Sequence, residues 1–242
     1  MKLPEMILFD YGNTILYEQY VDGVKGHKAV FEHLTKNPDN VTPEQVNELG
    51  GEIFKRLNIP RNSGFEIHQR FYDKLQYEYF GLEFDISYEE IELIFWKNAS
   101  EIKPMPGVEK LLAYLRENGI RSGVVSNLGW SGNALKTRID ECLPDNRFEF
   151  VIASSEYIFR KPDRLIFELA LRKAGLTADK VWFCGDTVSA DIDGAHNVEI
   201  FPVWYDDKTI PCPWKTPCTE PDYEHLHIYN WNSLTDILEK LK

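Results

Sequence analysis

Residues 6–14 read Met6-Ile7-Leu8-Phe9-Asp10-Tyr11-Gly12-Asn13-Thr14, four apolar residues running into an acid and a Gly-Asn turn. A short apolar run bounded by turn residues predicts a strand buried on both faces. Four more runs of this kind follow: Ser122–Val125, Phe150–Ala153, Val181–Cys184 and Ile200–Trp204. Helical patterns separate the later ones, Val108–Glu117 closed by Gly119 and Leu165–Ala174 closed by Gly175. Glycine just past the last periodic residue is a common helix stop. Strand and helix alternating in this way predict an α/β fold, with a Rossmann-like parallel sheet and helices on both faces.

The first strand breaks that rhythm. From 17 to 104 there is no convincing buried strand, and helix signatures take its place: Gly26–Thr35, Pro43–Leu57, Phe65–Phe80 and Tyr88–Lys97. Thr42-Pro43-Glu44-Gln45 and Ser87-Tyr88-Glu89-Glu90 both read as capping boxes, the first with proline at the first helical position. An all-α module over 17–104 is thus predicted to interrupt a core formed by 1–16 and 105–242. The stiff segment Pro104-Met105-Pro106-Gly107 suits a hinge strap. A short edge strand, His225–Tyr229, and a last helix, Leu234–Leu241, end the pattern.

Composition narrows the class of function. The 242 residues are 43% hydrophobic, enough for a proper core, and carry a net charge of −12 with a pI near 5.0. Such a surface repels nucleic acid and anionic lipid, so neither partner is expected. No apolar stretch reaches membrane-spanning length and no signal peptide is read, which predicts a cytoplasmic protein. Four scattered cysteines make no disulfide framework. A monomer or homodimer is expected.

In open parallel sheets, ligands sit beyond the carboxyl ends of the strands. Those ends carry Asp10, Gly12 and Asn13 after the first strand, and Ser126-Asn127 after the second. Lys161-Pro162 follows the third, and Gly185-Asp186, with Asp191 beyond, follows the fourth. Each alone has an ordinary reading as a turn, cap or surface residue; together they form a constellation. Three carboxylates at one place demand a cation. Mg²⁺ suits them, because it binds one or two carboxylates, keeps waters and takes a phosphate oxygen. Lys161 adds positive charge, and Ser126 with nearby N–H groups would hold phosphoryl oxygens. An aspartate activated in this way attacks phosphorus.

With ILFDYGNT, VVSN, RKPD followed by IFELAL, and FCGDTVSADIDGA in that order, the chain resembles the haloacid dehalogenase superfamily over nearly its whole length. The resemblance implies Asp10 as nucleophile and metal ligand, and Gly12 as donor of a backbone carbonyl to the metal. It implies Ser126, Asn127 and Lys161 on the phosphoryl group, Asp186 and Asp191 at a Mg²⁺ site, and a cap that selects a small phosphorylated substrate. One departure stands out. Phosphatases of the superfamily usually carry a second aspartate, the general acid, where this chain has Gly12. Such an acid is worth about 10²–10⁴-fold, so alkyl phosphates are expected to suffer more than acyl or aryl phosphates. Dehalogenase and phosphonatase chemistries also lack that acid; the latter would need a cap lysine, for which Lys25, Lys28 and Lys55 are available. A phosphate-holding protein without turnover is the non-enzymatic alternative.

Other features fit simpler roles. Cys212, Cys218, His225 and His227 follow C-x₅-C-x₆-H-x-H, outside the usual zinc patterns. His68, Arg70, Tyr72 and Trp130 either face the cleft or pack the module's interior. Cys184 reads as a small core residue.

Overall fold

The computed structural model describes residues 1–212 and 218–242. The chain enters through β1 (Met6–Phe9) and β2 (Leu16–Glu18), then passes into a helical insert. That insert holds α1 (Gly23–Phe31), β3 (Leu34–Lys36), α2 (Pro43–Asn62), α3 (Gln69–Tyr79), β4 (Glu83–Phe84) and α4 (Tyr88–Ala99). It leaves through β5 (Ile102–Pro104) into α5 (Val108–Glu117), β6 (Arg121–Ser126), α6 (Gly132–Cys142) and β7 (Val151–Ala153). Next come α7 (Arg164–Ala174), β8 (Val181–Gly185), α8 (Asp193–His196), β9 (Phe201–Tyr205), β10 (Leu226–Ile228) and α9 (Trp231–Lys240).

Six strands make one sheet in the order β10-β9-β8-β1-β6-β7, with every neighbour parallel. Strand β1 lies inside it, and its side chains alternate between two buried layers. Ile7 and Phe9 pack with Leu111 and Leu115 of α5, Leu135 and Ile139 of α6, and Leu234 and Leu238 of α9. Met6 and Leu8 join Ile166, Phe167 and Ala170 of α7 on the opposite face. Burial on both faces is why the strand is a continuous apolar run. Removing a ring such as Phe9, fully buried here, costs about 3–5 kcal/mol.

The insert is helical as expected, and both capping boxes form. Thr42 accepts from the Gln45 N–H at 3.4 Å while Gln45 Oε1 accepts from the Thr42 N–H at 2.8 Å. Ser87 and Glu90 reciprocate at 3.3 and 2.8 Å. Boundaries move for physical reasons. The first helix starts earlier, at Gly23, behind an Asp22 cap that accepts from the Lys25 N–H at 3.0 Å. Its glycines serve packing: a Cβ on Gly26 would meet the Phe95 ring of α4 at 2.7 Å. The helix ends at Phe31, and Leu34–Lys36 pairs with Glu83–Phe84 in a small antiparallel ribbon, an addition to the expected helices. The helix predicted from Pro43 runs past Leu57 to Asn62, with Pro60 in its last turn. The third helix begins at Gln69, not Phe65.

Strands β2 and β5 pair antiparallel where the chain enters and leaves the insert, with Tyr17 opposite Lys103. Further contacts dock the insert on α6. Glu92 of α4 accepts from the Ser131 N–H at 2.6 Å, capping that helix, and Trp96 stacks on Trp130 with centroids 5.0 Å apart. No helix among the described residues is long and apolar enough to cross a membrane.

Candidate active site

Because β1 pairs with both β6 and β8, Phe9 lies opposite Val124 on one side and Cys184 on the other. The residues that follow these positions emerge side by side at the carboxyl edge of the sheet. One ligand atom each from Asp10, Asp186 and Asp191 lies within 4.8 Å of the others, the one such convergence of acidic, histidine or cysteine side chains among the described residues. Lys161 enters from the loop after β7 and is buried. Its Nζ lies 2.7 Å from Asp10 Oδ1, 2.6 Å from Asp191 Oδ1 and 2.8 Å from the Val125 carbonyl.

Two local devices fix Asp191. Its Oδ2 accepts from the Thr187 N–H at 3.0 Å, and its backbone N–H donates to the Thr187 carbonyl at 2.8 Å. Gly185 lets it tuck against the strand end: a Cβ there would stand 2.3 Å from Asp191 Cγ. Asp186 accepts from the Thr187 hydroxyl at 3.1 Å, and its carbonyl accepts from the Trp204 indole at 3.2 Å.

Among the described residues, Asp10 and Asp191 share one ammonium, that of Lys161, with Asp186 beside them. Burial pushes the Asp191 carboxyl above the usual carboxylate range, with Lys161 opposing the rise and Asp10 adding to it. Burial also works against the Lys161 ammonium, but Asp10 and Asp191 outweigh it and hold its pKa above the ordinary lysine value. The converging all-oxygen donor set fits a hard divalent cation.

The remaining predicted residues sit as follows. Ser126, at the end of β6, and Gly12 both line the cleft that contains the carboxylates. A Cβ on Gly12 would meet nothing within 4 Å, so the missing side chain leaves open space. Asn13 has φ +53°, the left-handed turn geometry that asparagine tolerates. The Asn127 side chain spends both amide groups on Lys161: Nδ2 donates to its carbonyl at 2.8 Å, and Oδ1 accepts from its N–H at 2.7 Å.

Most other candidates fall outside the cleft. Lys28 pairs with Glu44 on the surface at 3.1 Å, Lys55 is exposed, and Lys25 borders a separate hollow beside the β2/β5 ribbon. His68 caps α3 by accepting from the Arg70 N–H at 3.1 Å, and Arg70 pairs with Glu89 at 2.8 Å. Tyr72 packs near Gly50, Trp130 joins the insert to α6, and Cys184 is fully buried. His225 and His227 both engage Glu220, at 3.0 and 2.9 Å, while Cys212 and Cys218 line the active cleft. The four do not converge as a zinc set.

Two cleft residues escaped sequence reasoning. Glu18 of β2 accepts from the Tyr11 hydroxyl at 2.8 Å and the Trp96 indole at 3.1 Å, and also from Ser100. Arg160 lines the cleft beside Lys161. Arg160 is itself the first residue of the RKPD motif, which was the available signal; for Glu18 there was none, because its partners are distant in sequence.

Comparison with known proteins agrees with this geometry. A family model described as haloacid dehalogenase-like hydrolase matches residues 7–204. Over 246 residues the chain is 26% identical to pyrimidine 5'-nucleotidase PynA of Streptococcus pneumoniae, covering 98% of this chain and 95% of that one. A glyceraldehyde 3-phosphate phosphatase from Pyrococcus abyssi is 35% identical over 106 residues, 43% of either chain, so that match spans under half of the relative's length. In fold the chain is similar to a 2-haloacid dehalogenase from Pseudomonas syringae pv. Tomato, with a TM-score of 0.61 at 19% identity over 98% of this chain and 99% of that one.

Proposed function

This chain belongs to the haloacid dehalogenase-like hydrolases, and we propose that within the family it is a Mg²⁺-dependent phosphatase of small phosphorylated metabolites. The observation that carries the reading is the convergence of Asp10, Asp186 and Asp191 around a buried lysine. An aspartate that attacks carbon needs no divalent cation, whereas one that attacks a phosphoryl dianion is helped by the cation that two further carboxylates would hold. The nucleotidase and triose-phosphate phosphatase relatives point to the same substrate class.

On this reading residues 17–104 form a cap over a core of 1–16 and 105–242. Asp10, Asp186, Asp191 and the Gly12 carbonyl would hold Mg²⁺, which when bound neutralises charge on the phosphoryl oxygens. Lys161 holds Asp10 Oδ1 at 2.7 Å, and the other carboxylate oxygen attacks phosphorus in line. The bond from phosphorus to the leaving oxygen breaks, and the phosphoryl group passes to Asp10 as an aspartyl-phosphate. Lys161, Ser126 and the backbone N–H of Asn127 stabilise the charge as it develops. Water then attacks phosphorus, freeing Asp10 and releasing inorganic phosphate. No side chain at position 12 donates a proton to the departing oxygen, so leaving groups that depart without one react fastest. The cleft, about 760 Å³, is of a size that takes metabolites.

The test is phosphate release from an aryl phosphate, an acyl phosphate, a triose phosphate and a pyrimidine nucleoside 5'-monophosphate, each with Mg²⁺ and with chelator. Release that needs metal and disappears in Asp10→Asn supports the reading. Release unaffected by Asp10→Asn overturns it, as does binding of these compounds by the wild type without any release.

A further inference from the structure

Residues 64–66 of the cap lie along residues 158–160, the stretch that leads into Lys161. Phe65 and Phe159 form an antiparallel bridge, with their rings 5.6 Å apart. The Glu66 N–H donates to the Ile158 carbonyl at 2.6 Å, and the Arg160 N–H donates to the Gly64 carbonyl at 2.9 Å. Ile158 has φ +69°, a conformation that a β-branched residue rarely adopts. Its carbonyl is the one the cap engages.

The Glu66 side chain is buried in this junction, with 1% of its surface exposed. It pairs with Arg160 and, at 3.1 Å, with Arg61 in the last turn of α2. It also accepts from the Ser154 hydroxyl at 3.0 Å. Ser154 Oγ in turn accepts from the Leu128 N–H at 2.9 Å. Leu128 follows Asn127, whose amide grips the Lys161 backbone from the other side. One carboxylate from the cap therefore reaches both loops that hold the phosphoryl group, each through a single intermediary. Attachment of the cap does not need this arrangement, because the β2/β5 ribbon, the Glu92 cap on α6 and the Trp96–Trp130 stack already secure it.

We propose that Glu66 is a positioning residue: through Arg160 and Ser154 it sets the backbone at Lys161 and Leu128, so the phosphoryl-gripping groups are in register only while the cap is docked. The proposal rests on the phosphatase reading for its catalytic consequence, though not for its geometry. A misplacement of about 1 Å in such a group costs about 10²-fold in rate. Removing the charge with Glu66→Gln leaves the half-buried Arg160 beside a neutral amide, and its guanidinium moves.

The experiment compares wild type, Glu66→Gln, Glu66→Asp, Arg61→Gln and Lys161→Ala, together with the Glu66→Gln/Lys161→Ala double variant. For an aryl phosphate, Glu66→Gln should lower kcat about 10²-fold with little change in KM, and Glu66→Asp should restore part of the loss. Arg61→Gln, which touches Glu66 but neither loop, should retain kcat. The double variant should be no slower than Lys161→Ala alone, because the two changes act on one group. Unchanged kcat in Glu66→Gln, or losses that multiply in the double variant, overturns the proposal. Amide hydrogen exchange reads the same device without substrate: Glu66→Gln should speed exchange at Leu128, Arg160 and Lys161 while α5 and α9 keep their protection. If the wild type releases no phosphate, the phosphatase reading fails on its own, and unaltered exchange at those three amides is then the result that removes Glu66 from the role.

Discussion

Adding one methyl group at Gly185 tests whether the placement of Asp191 matters to chemistry. A Cβ at that position would lie 2.3 Å from Asp191 Cγ, 2.5 Å from its Cβ and 2.4 Å from Oδ2, whereas ordinary contact begins near 3.4 Å. In Gly185→Ala the carboxylate must therefore retreat by about 1 Å. It cannot do so and keep both Lys161 at 2.6 Å and the Thr187 N–H at 3.0 Å. A shift of this size costs about 10²-fold in kcat, or about 2.7 kcal/mol of transition-state stabilisation. Overpacking adds about 1–3 kcal/mol of destabilisation, a fall of several degrees in Tm for a chain of this length. The assay is aryl phosphate turnover across a Mg²⁺ titration, with thermal melts alongside. Gly185→Ala should need more Mg²⁺ and turn over about 10²-fold more slowly. Gly51→Ala, in α2 with nothing within 4 Å of its Cβ, is the control and should keep full activity. Wild-type kcat and Mg²⁺ response in Gly185→Ala would refute the argument that Asp191 works from this one position.

Other outcomes follow from the same geometry. Asp10→Asn should abolish phosphate release while its melting curve stays cooperative; residual turnover at the wild-type rate would remove Asp10 as nucleophile. Gly12→Asp enters open space and should raise hydrolysis of alkyl phosphates relative to aryl ones by at least about tenfold; an unchanged ratio would mean that leaving-group protonation does not limit the rate. Asp73 in the cap is fully enclosed, accepts from Gln69 at 2.7 Å and from Gln76 at 3.4 Å, and leaves Oδ2 and the Gln76 Oε1 without partners. Burial pushes its carboxyl up to about 8, and Glu92 adds to the rise. The folded state thus keeps a proton that the unfolded chain releases near the ordinary value. Stability from this group is full below that value and is lost as pH rises to about 8. Asp73→Asn, whose amide also supplies a donor, should raise Tm markedly at pH 8 and little at pH 5. Equal shifts at both would show that Asp73 does not titrate in this range.

The sheet was legible because its strands are buried on both faces, so Met6–Phe9 and Val181–Gly185 appear as unbroken apolar runs. The caps at Thr42 and Ser87 were legible because capping is a local code within four residues. The β3/β4 ribbon was not, since Leu34–Lys36 has little strand character of its own and gains it only from Glu83–Phe84. Phe65–His68 continued a helical pattern that the docking of Phe65 on Phe159 overrode. At the site, the residues on strand ends could be placed by topology alone. Glu66, Glu18 and the doubly committed amide of Asn127 could not, because their roles come from partners that only the fold brings near.

The pairing of β1 between β6 and β8 has a consequence for synthesis. The strand that leads into Asp10 is made before both of its neighbours, with Phe9 waiting for Val124 and Cys184. Until they arrive, a fully apolar strand has both hydrogen-bonding edges open, the condition under which nascent chains associate wrongly. Pairings so distant in sequence also fold slowly. The helical insert, made in between, has its own apolar cluster around Val46, Tyr77 and Phe95, which gives the emerging chain something to collapse onto. The three carboxylates converge only when Asp186 and Asp191 join Asp10, so on the proposed reading the ability to hold Mg²⁺ would mark a molecule in which the last long-range pairing of β1 has closed.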